Sequence, residues 1–86
     1  MNYIIEKYIS NITINNINDF MIKNNIFLTE NELNIFYNII KNHYQEILQG
    51  NDHKIINYLK NHLDEKNFNK VIILYNEYKE KYQNYL

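Results

Sequence analysis

A chain of 86 residues with net charge −1, 45% hydrophobic and 15% aromatic, has material for one core and no room for a second domain. It contains no Cys, which excludes disulfides and thiolate metal sites. All nine basic residues are Lys, so the basic excess and the Arg that mark most nucleic-acid-binding domains are both missing.

No apolar run reaches the roughly 18–20 residues that span a bilayer. Glu6 and Lys7 interrupt the N-terminal stretch where a signal peptide needs unbroken apolar residues. A soluble, cytoplasmic chain without membrane contact is therefore expected. The sequon at Asn11-Ile12-Thr13 carries no weight in such a chain, because glycosylation needs a secretory route. The abundance of Asn, Ile, Lys and Tyr, with no Ala, Pro or Trp, matches the coding bias of an AT-rich genome.

The spacing predicts an all-α fold, a compact bundle of four to five short helices around a central one. Gly50 is the only Gly and there is no Pro, so Asn, Asp, Ser and Thr must mark the turns. A first helix is expected at about 2–10, with Tyr3, Ile4, Ile5, Tyr8 and Ile9 on its apolar face. The segment SNITINN alternates β-branched with polar residues and is expected to be extended, ending in a cap at Asn15 or Asn16. A second helix at about 16–24 turns Ile17, Phe20 and Met21 inward. Asn24-Asn25 ends it, Asn being the usual substitute for Gly in a left-handed cap. Ile26-Phe27-Leu28 follows as a short apolar connector.

The third helix, about 29–48, opens with a capping box, Thr29 followed three residues later by Glu32. Gly50 lies where a C-terminal cap belongs. Leu33, Phe36, Tyr37, Ile40, Tyr44, Ile47 and Leu48 form one broad stripe, while Ile35 and Ile39 fall on nearly the opposite side. A helix apolar on two sides should be central. A fourth helix at about 52–63, capped by Asn51 or Asp52, carries a narrower stripe of Ile55, Ile56, Leu59 and Leu63. Asp64-Glu65-Lys66-Asn67 reads as the turn before a fifth helix at about 67–85. There Phe68, Val71, Tyr75, Tyr78, Tyr82 and Tyr85 recur in steps of three and four, a heptad-like seam widened by Ile72 and Leu74.

No constellation of residues points to catalysis. His43, His53 and His62 have no zinc-helix spacing, and no HExxH is present. The carboxylate pairs Glu30/Glu32, Asp64/Glu65 and Glu77/Glu80 are accounted for by capping, a turn and a helical ion pair with Lys81. Ser10, the only Ser, lacks a Gly-x-Ser-x-Gly elbow, and one Gly cannot build a phosphate-cradling loop. No catalytic, cofactor or metal residues are assigned, and no enzyme is expected. The distinctive feature is the Tyr end of the fifth helix. Tyr supplies large contact area at low entropic cost and is enriched at hot spots, so Tyr78, Tyr82, Tyr85 and Leu86 are the candidate partner-binding residues. The alternative is intramolecular packing with the phenol tips in water, which is favoured for Tyr75 and Tyr78.

Residues 12–41, ITINNINDFMIKNNIFLTENELNIFYNIIK, resemble the helix–extended-loop–helix arrangement of SAP and LEM domains. SAP domains bind DNA through basic residues and a Gly-containing turn. Here that turn is Leu28-Thr29-Glu30-Asn31, acidic and without Gly, so DNA binding is not carried over; a LEM-like resemblance implies protein binding. Over nearly its whole length the chain also resembles a family of short, uncharacterised helical proteins of low-GC Gram-positive bacteria, through LTENE, IIKNHYQEIL and LYNEYKEKY. That resemblance implies no enzymatic activity and lends no functional residues. The function expected is a non-enzymatic protein-interaction, regulatory or scaffold module. Its partner is unidentified, and a homodimer through the C-terminal helix is one form. The runner-up is a weak nucleic-acid binder using Lys23, Lys54, Lys60, Lys66 and Lys70.

Overall fold

The structure, a computed structural model, describes residues 3–82. Five helices follow one another: α1 (Tyr3–Asn11), α2 (Ile14–Lys23), α3 (Glu30–Leu48), α4 (His53–His62) and α5 (Glu65–Tyr82). There is no strand among the described residues.

Only Ile12 and Thr13 separate α1 from α2, so the extended segment expected over SNITINN does not form. The cap is Thr13, not Asn15 or Asn16. Thr13 Oγ1 accepts the Asn16 N–H at 3.1 Å, and the Asn16 side chain accepts the Thr13 N–H at 3.0 Å. This is a capping box with Asn in the place usually held by Glu or Gln, and it outweighs the β-preference of Ile12, Thr13 and Ile14. The end of α2 follows the expectation. Asn25 takes φ +62°, the Ile26 N–H reaches the Met21 carbonyl, and the Asn25 N–H reaches the Ile22 carbonyl. These two bonds define a Schellman motif, and the accompanying apolar contact is between Met21 and Ile26, both buried.

Within the connector, Ile26 is 1% exposed and anchors the turn, whereas Phe27 points outward. The α3 start is the expected box: Thr29 Oγ1 accepts the Glu32 N–H at 3.2 Å, and Glu32 Oε1 accepts the Thr29 N–H at 2.9 Å. At its other end Gly50 adopts φ +82°, and the N–H groups of Gly50 and Asn51 close onto the carbonyls of Ile47 and Glu46. This second Schellman turn needs a residue without Cβ strain at Gly50.

Near α4 and α5, one expectation holds in position only and another fails. Asp52 is the N-cap residue of α4, as expected, but makes no side-chain cap bond; its carboxylate turns toward α5 instead. Asp64 is a cap and not the middle of a turn. It accepts the Asn67 N–H on Oδ2 at 3.3 Å and the Phe68 N–H on its carbonyl at 2.8 Å, so α5 starts at Glu65, two residues before the expected 67.

α3 is packed by α1 and α2, while α4 pairs with α5. The two groups meet over a core of Ile17, Met21, Ile26, Phe36, Ile39, Ile55, Leu59, Leu63 and Val71. Phe36 and Ile39 of α3 are buried, and Leu33, Ile35, Tyr37, Ile40 and Ile47 pack partly against this core. The two-sided apolar pattern of α3 therefore corresponds to its position in the bundle. α1 differs from the expectation in which way its apolar residues point. It buries no residue; Tyr3 and Ile4 are 75% and 79% exposed, and only Ile5 and Ile9 turn partly inward.

Candidate functional site

Between the α1–α3 group and the α4–α5 pair lies an apolar cavity of about 350 Å³. Its inner wall is the core itself: Ile17, Met21, Phe36, Ile39, Ile55, Leu59 and Val71 all face it. Water is a poor filler, because it needs two to four polar partners, and the wall offers few.

Tyr8 of α1, Phe20 of α2 and Tyr78 of α5 also line the cavity and are its most exposed large apolar members, at 65%, 40% and 40%. They form its rim. The Phe20 and Tyr78 rings lie 5.8 Å apart at 58°, a tilted aromatic pair. Spacing alone turns Phe20 inward with Ile17 and Met21. In the structure it sits at the edge, 40% exposed and paired with Tyr78 of α5.

One polar cluster reaches the cavity wall. Asp52 is buried, and its Oδ2 accepts the Tyr75 hydroxyl at 2.5 Å and the Lys79 ammonium at 3.3 Å. The Tyr75 hydrogen bond, aided by Lys79, holds the Asp52 carboxyl below the usual range against the opposing effect of burial. Burial and the Asp52 carboxylate together push the Tyr75 phenol well above its usual value. Asp52 therefore stays an anion and Tyr75 a donor at neutral pH.

The second buried carboxylate, Glu32, lies at the far end of α3. Besides closing its own capping box, it accepts the Asp64 N–H on Oε2 at 2.9 Å and the Asn67 side-chain amide on Oε1 at 3.0 Å. Burial raises its pKa, but the donors from Thr29, Asp64 and Asn67 outweigh this and hold it below the usual range. Both buried carboxylates thus have acceptor sites engaged by the fold.

A second groove, of about 340 Å³, runs between α3 and α4 past Asn38, Asn42, His43, Glu46, Lys54 and Tyr58. His43 Nδ1 lies 2.9 Å from Glu46, with both side chains about half exposed. The Tyr58 and His62 rings stack at 3.9 Å within one helix. These contacts are local to their helices. Among the described residues no group of three or more His, Cys, Asp or Glu converges as a metal site would, and no helix is long and apolar enough to cross a membrane.

Of the four docking candidates read from the sequence, Tyr78 is on the rim. The side chain of Tyr82, and Tyr85 and Leu86 entirely, lie outside the described residues. Tyr75 packs inward, as the alternative reading of the seam expects. The rim residues Tyr8 and Phe20 are not marked as surface by the sequence. Their apolar spacing is real, but periodicity gives a stripe without saying whether a neighbouring helix covers it. Comparison with models of protein families, with curated proteins and with solved structures finds no match.

Proposed function

We propose that this chain is a non-enzymatic interaction module that docks a partner protein on the aromatic rim formed by Tyr8, Phe20 and Tyr78. The observation that carries this reading is the convergence of three exposed rings, from three different helices, around one apolar opening. Exposed aromatic clusters of this kind are the usual anchors of protein interfaces, where a few buried rings supply most of the binding energy. α1 extends the surface with Tyr3 and Ile4. The binding reading, as opposed to a catalytic one, is supported by the work the buried ionisable groups already do. Glu32 joins helix starts, and Asp52 ties α4 to α5. The weakly uneven charge and the engagement of Lys70 with the Asn25 carbonyl at 2.9 Å give no comparable support to the nucleic-acid reading.

The test is affinity capture from the native cell with the triple variant Tyr8→Ser, Phe20→Ser, Tyr78→Ser beside Phe27→Ser, Ile73→Ser, which alters two exposed apolar residues away from the rim. The first should lose the captured partner while its far-ultraviolet circular dichroism stays helical, and the second should keep it. Undiminished capture by the folded rim variant would remove the proposal.

A further inference from the structure

The depth of the cavity sets it apart from a protein-docking groove. Its floor is made of residues under a tenth exposed, Ile17, Ile39, Leu59 and Val71 among them, with half-buried residues such as Ile56 and Ile72 around it, so an occupant that reaches the floor lies against the core. Nearly all of that wall is aliphatic or aromatic carbon, and the single buried charge on it, Asp52, is anionic. A volume of about 350 Å³ corresponds to about twelve water-sized units at the liquid volume of water. A methylene group is of similar size, so one unbranched chain on the order of ten carbons would fill it.

We propose that this cavity is a binding site for one unbranched, uncharged aliphatic chain of about ten carbons bearing a single hydrogen-bond-donating head, such as a primary alkanol. The head is assigned by charge complementarity. Tyr75 and Lys79 both engage Oδ2 of Asp52, and neither uses Oδ1. An ionised carboxylate has about four acceptor positions, so a hydroxyl entering beside Asp52 has an acceptor to meet; Lys79 pairs with Asp52 from a half-exposed position outside the lining, so a carboxylate head inside the cavity would meet the Asp52 charge first. The aromatic rim of Tyr8, Phe20 and Tyr78 frames the chain's way in. This site goes beyond the protein-docking reading and stands whether or not a partner uses the rim.

The test uses the purified chain with 1-decanol below its solubility limit, followed by calorimetry and by methyl shifts in two-dimensional NMR. The expected result is saturable one-to-one binding, with shifts at the methyl groups of Ile17, Ile39, Leu59 and Val71. Affinity should rise with chain length from 1-butanol to 1-decanol, and decanoate at neutral pH should bind at least tenfold more weakly than 1-decanol. Ile56→Phe, at a half-buried wall position, should weaken 1-decanol binding tenfold or more with helical content retained, and Ile72→Phe should do the same from α5. Failure to saturate, shifts confined to the rim rings, equal binding of decanoate, or unchanged affinity in both variants would each overturn the assignment. The shift measurement needs no variant, so a variant that fails to fold leaves the proposal testable. Loss of protein capture in the rim variant, with 1-decanol shifts intact in the unmodified chain, would separate this site from the docking surface.

Discussion

Glu32 illustrates how one side chain can fix three pieces of chain. Its Oε1 serves the Thr29 N–H and the Asn67 amide, and its Oε2 serves the Asp64 N–H just before α5. Asn67 also donates to the Phe27 carbonyl at 3.2 Å, which ties the connector into the same cluster. A buried carboxylate is costly unless its acceptors are met, and here the donors are helix-start N–H groups that would otherwise lack partners. The negative charge also lies at the positive ends of two helix dipoles. Hydrogen bonds to a charged group contribute about 1.5–3 kcal/mol each, so Glu32→Ala should cost about 3 kcal/mol. Glu32→Gln keeps the acceptor for Thr29 but sets an amide donor against the Asp64 N–H, and should cost about 2 kcal/mol. In thermal denaturation followed at 222 nm, Glu32→Ala should lower the Tm by more than 10 °C, at about 4–8 °C per kcal/mol for a domain of this size. A drop of only a degree or two would show that the cluster is held by something other than this carboxylate.

At the scale of the helices, the chain has two capping boxes of unequal reach. That of Thr13 and Asn16 is exposed and entirely local. That of Thr29 and Glu32 is partly buried, and its carboxylate is shared with α5. Removing a cap hydroxyl typically costs about 1 kcal/mol, within a range of about 0.5–2. Thr13→Ala should fall at the low end, because α2 alone loses a bond. Thr29→Ala should fall at the high end, because it loosens the side chain that joins α3 to α5. Urea titration reads both: the midpoints should shift in that order with the slope unchanged. Equal shifts would mean that the two boxes are energetically independent of their surroundings. The same contrast separates what sequence reveals from what it hides. The start and end of α3, and the Asn25 turn, are written in residues three to six positions apart, so spacing reveals them. The Thr13 box is harder to recognise, because Asn replaces Glu at the third helical position and the β-branched neighbours suggest an extended chain. The pairings of Asp52 with Tyr75, 23 positions away, and of Glu32 with Asn67, 35 positions away, have no local signature. Asp52 therefore reads in sequence as an ordinary helix cap. The rim is hidden for the same reason, since Tyr8, Phe20 and Tyr78 become one surface only when three helices have packed.

For the molecule as a whole, the α1–α3 group and the α4–α5 pair meet across a cavity, so the contacts around its edges matter more than in a filled core. Two polar clusters titrate at the ends of the pH scale: Glu32 joins α3 to the start of α5 across the two groups, and Asp52 ties α4 to α5 within one of them. Glu32 and Asp52 have folded pKa values below their ordinary 4.5 and 3.8. Their ionised forms are favoured by folding, so their contribution is fully present above those ordinary values and is lost as pH falls through the lowered ones. Tyr75 has the opposite sense. Its folded value lies above the ordinary 10.0, so its contribution is complete below that pH and is lost as pH rises through the raised value. Together they predict a stability plateau from about pH 5 to about pH 9, falling on the acid side as Glu32 and Asp52 take up protons. Unfolding free energies from urea titrations between pH 2 and 7 should show this acid limb. Glu32→Gln should lower the plateau and flatten the limb, because its side chain no longer titrates. Tyr75→Phe should weaken the plateau and leave Asp52 buried beside Lys79 with one donor fewer, which moves the remaining acid limb to higher pH. If both variants keep the slope and position of the parent's acid limb, protons are taken up elsewhere, and the two buried carboxylates do not govern the acid stability of the bundle.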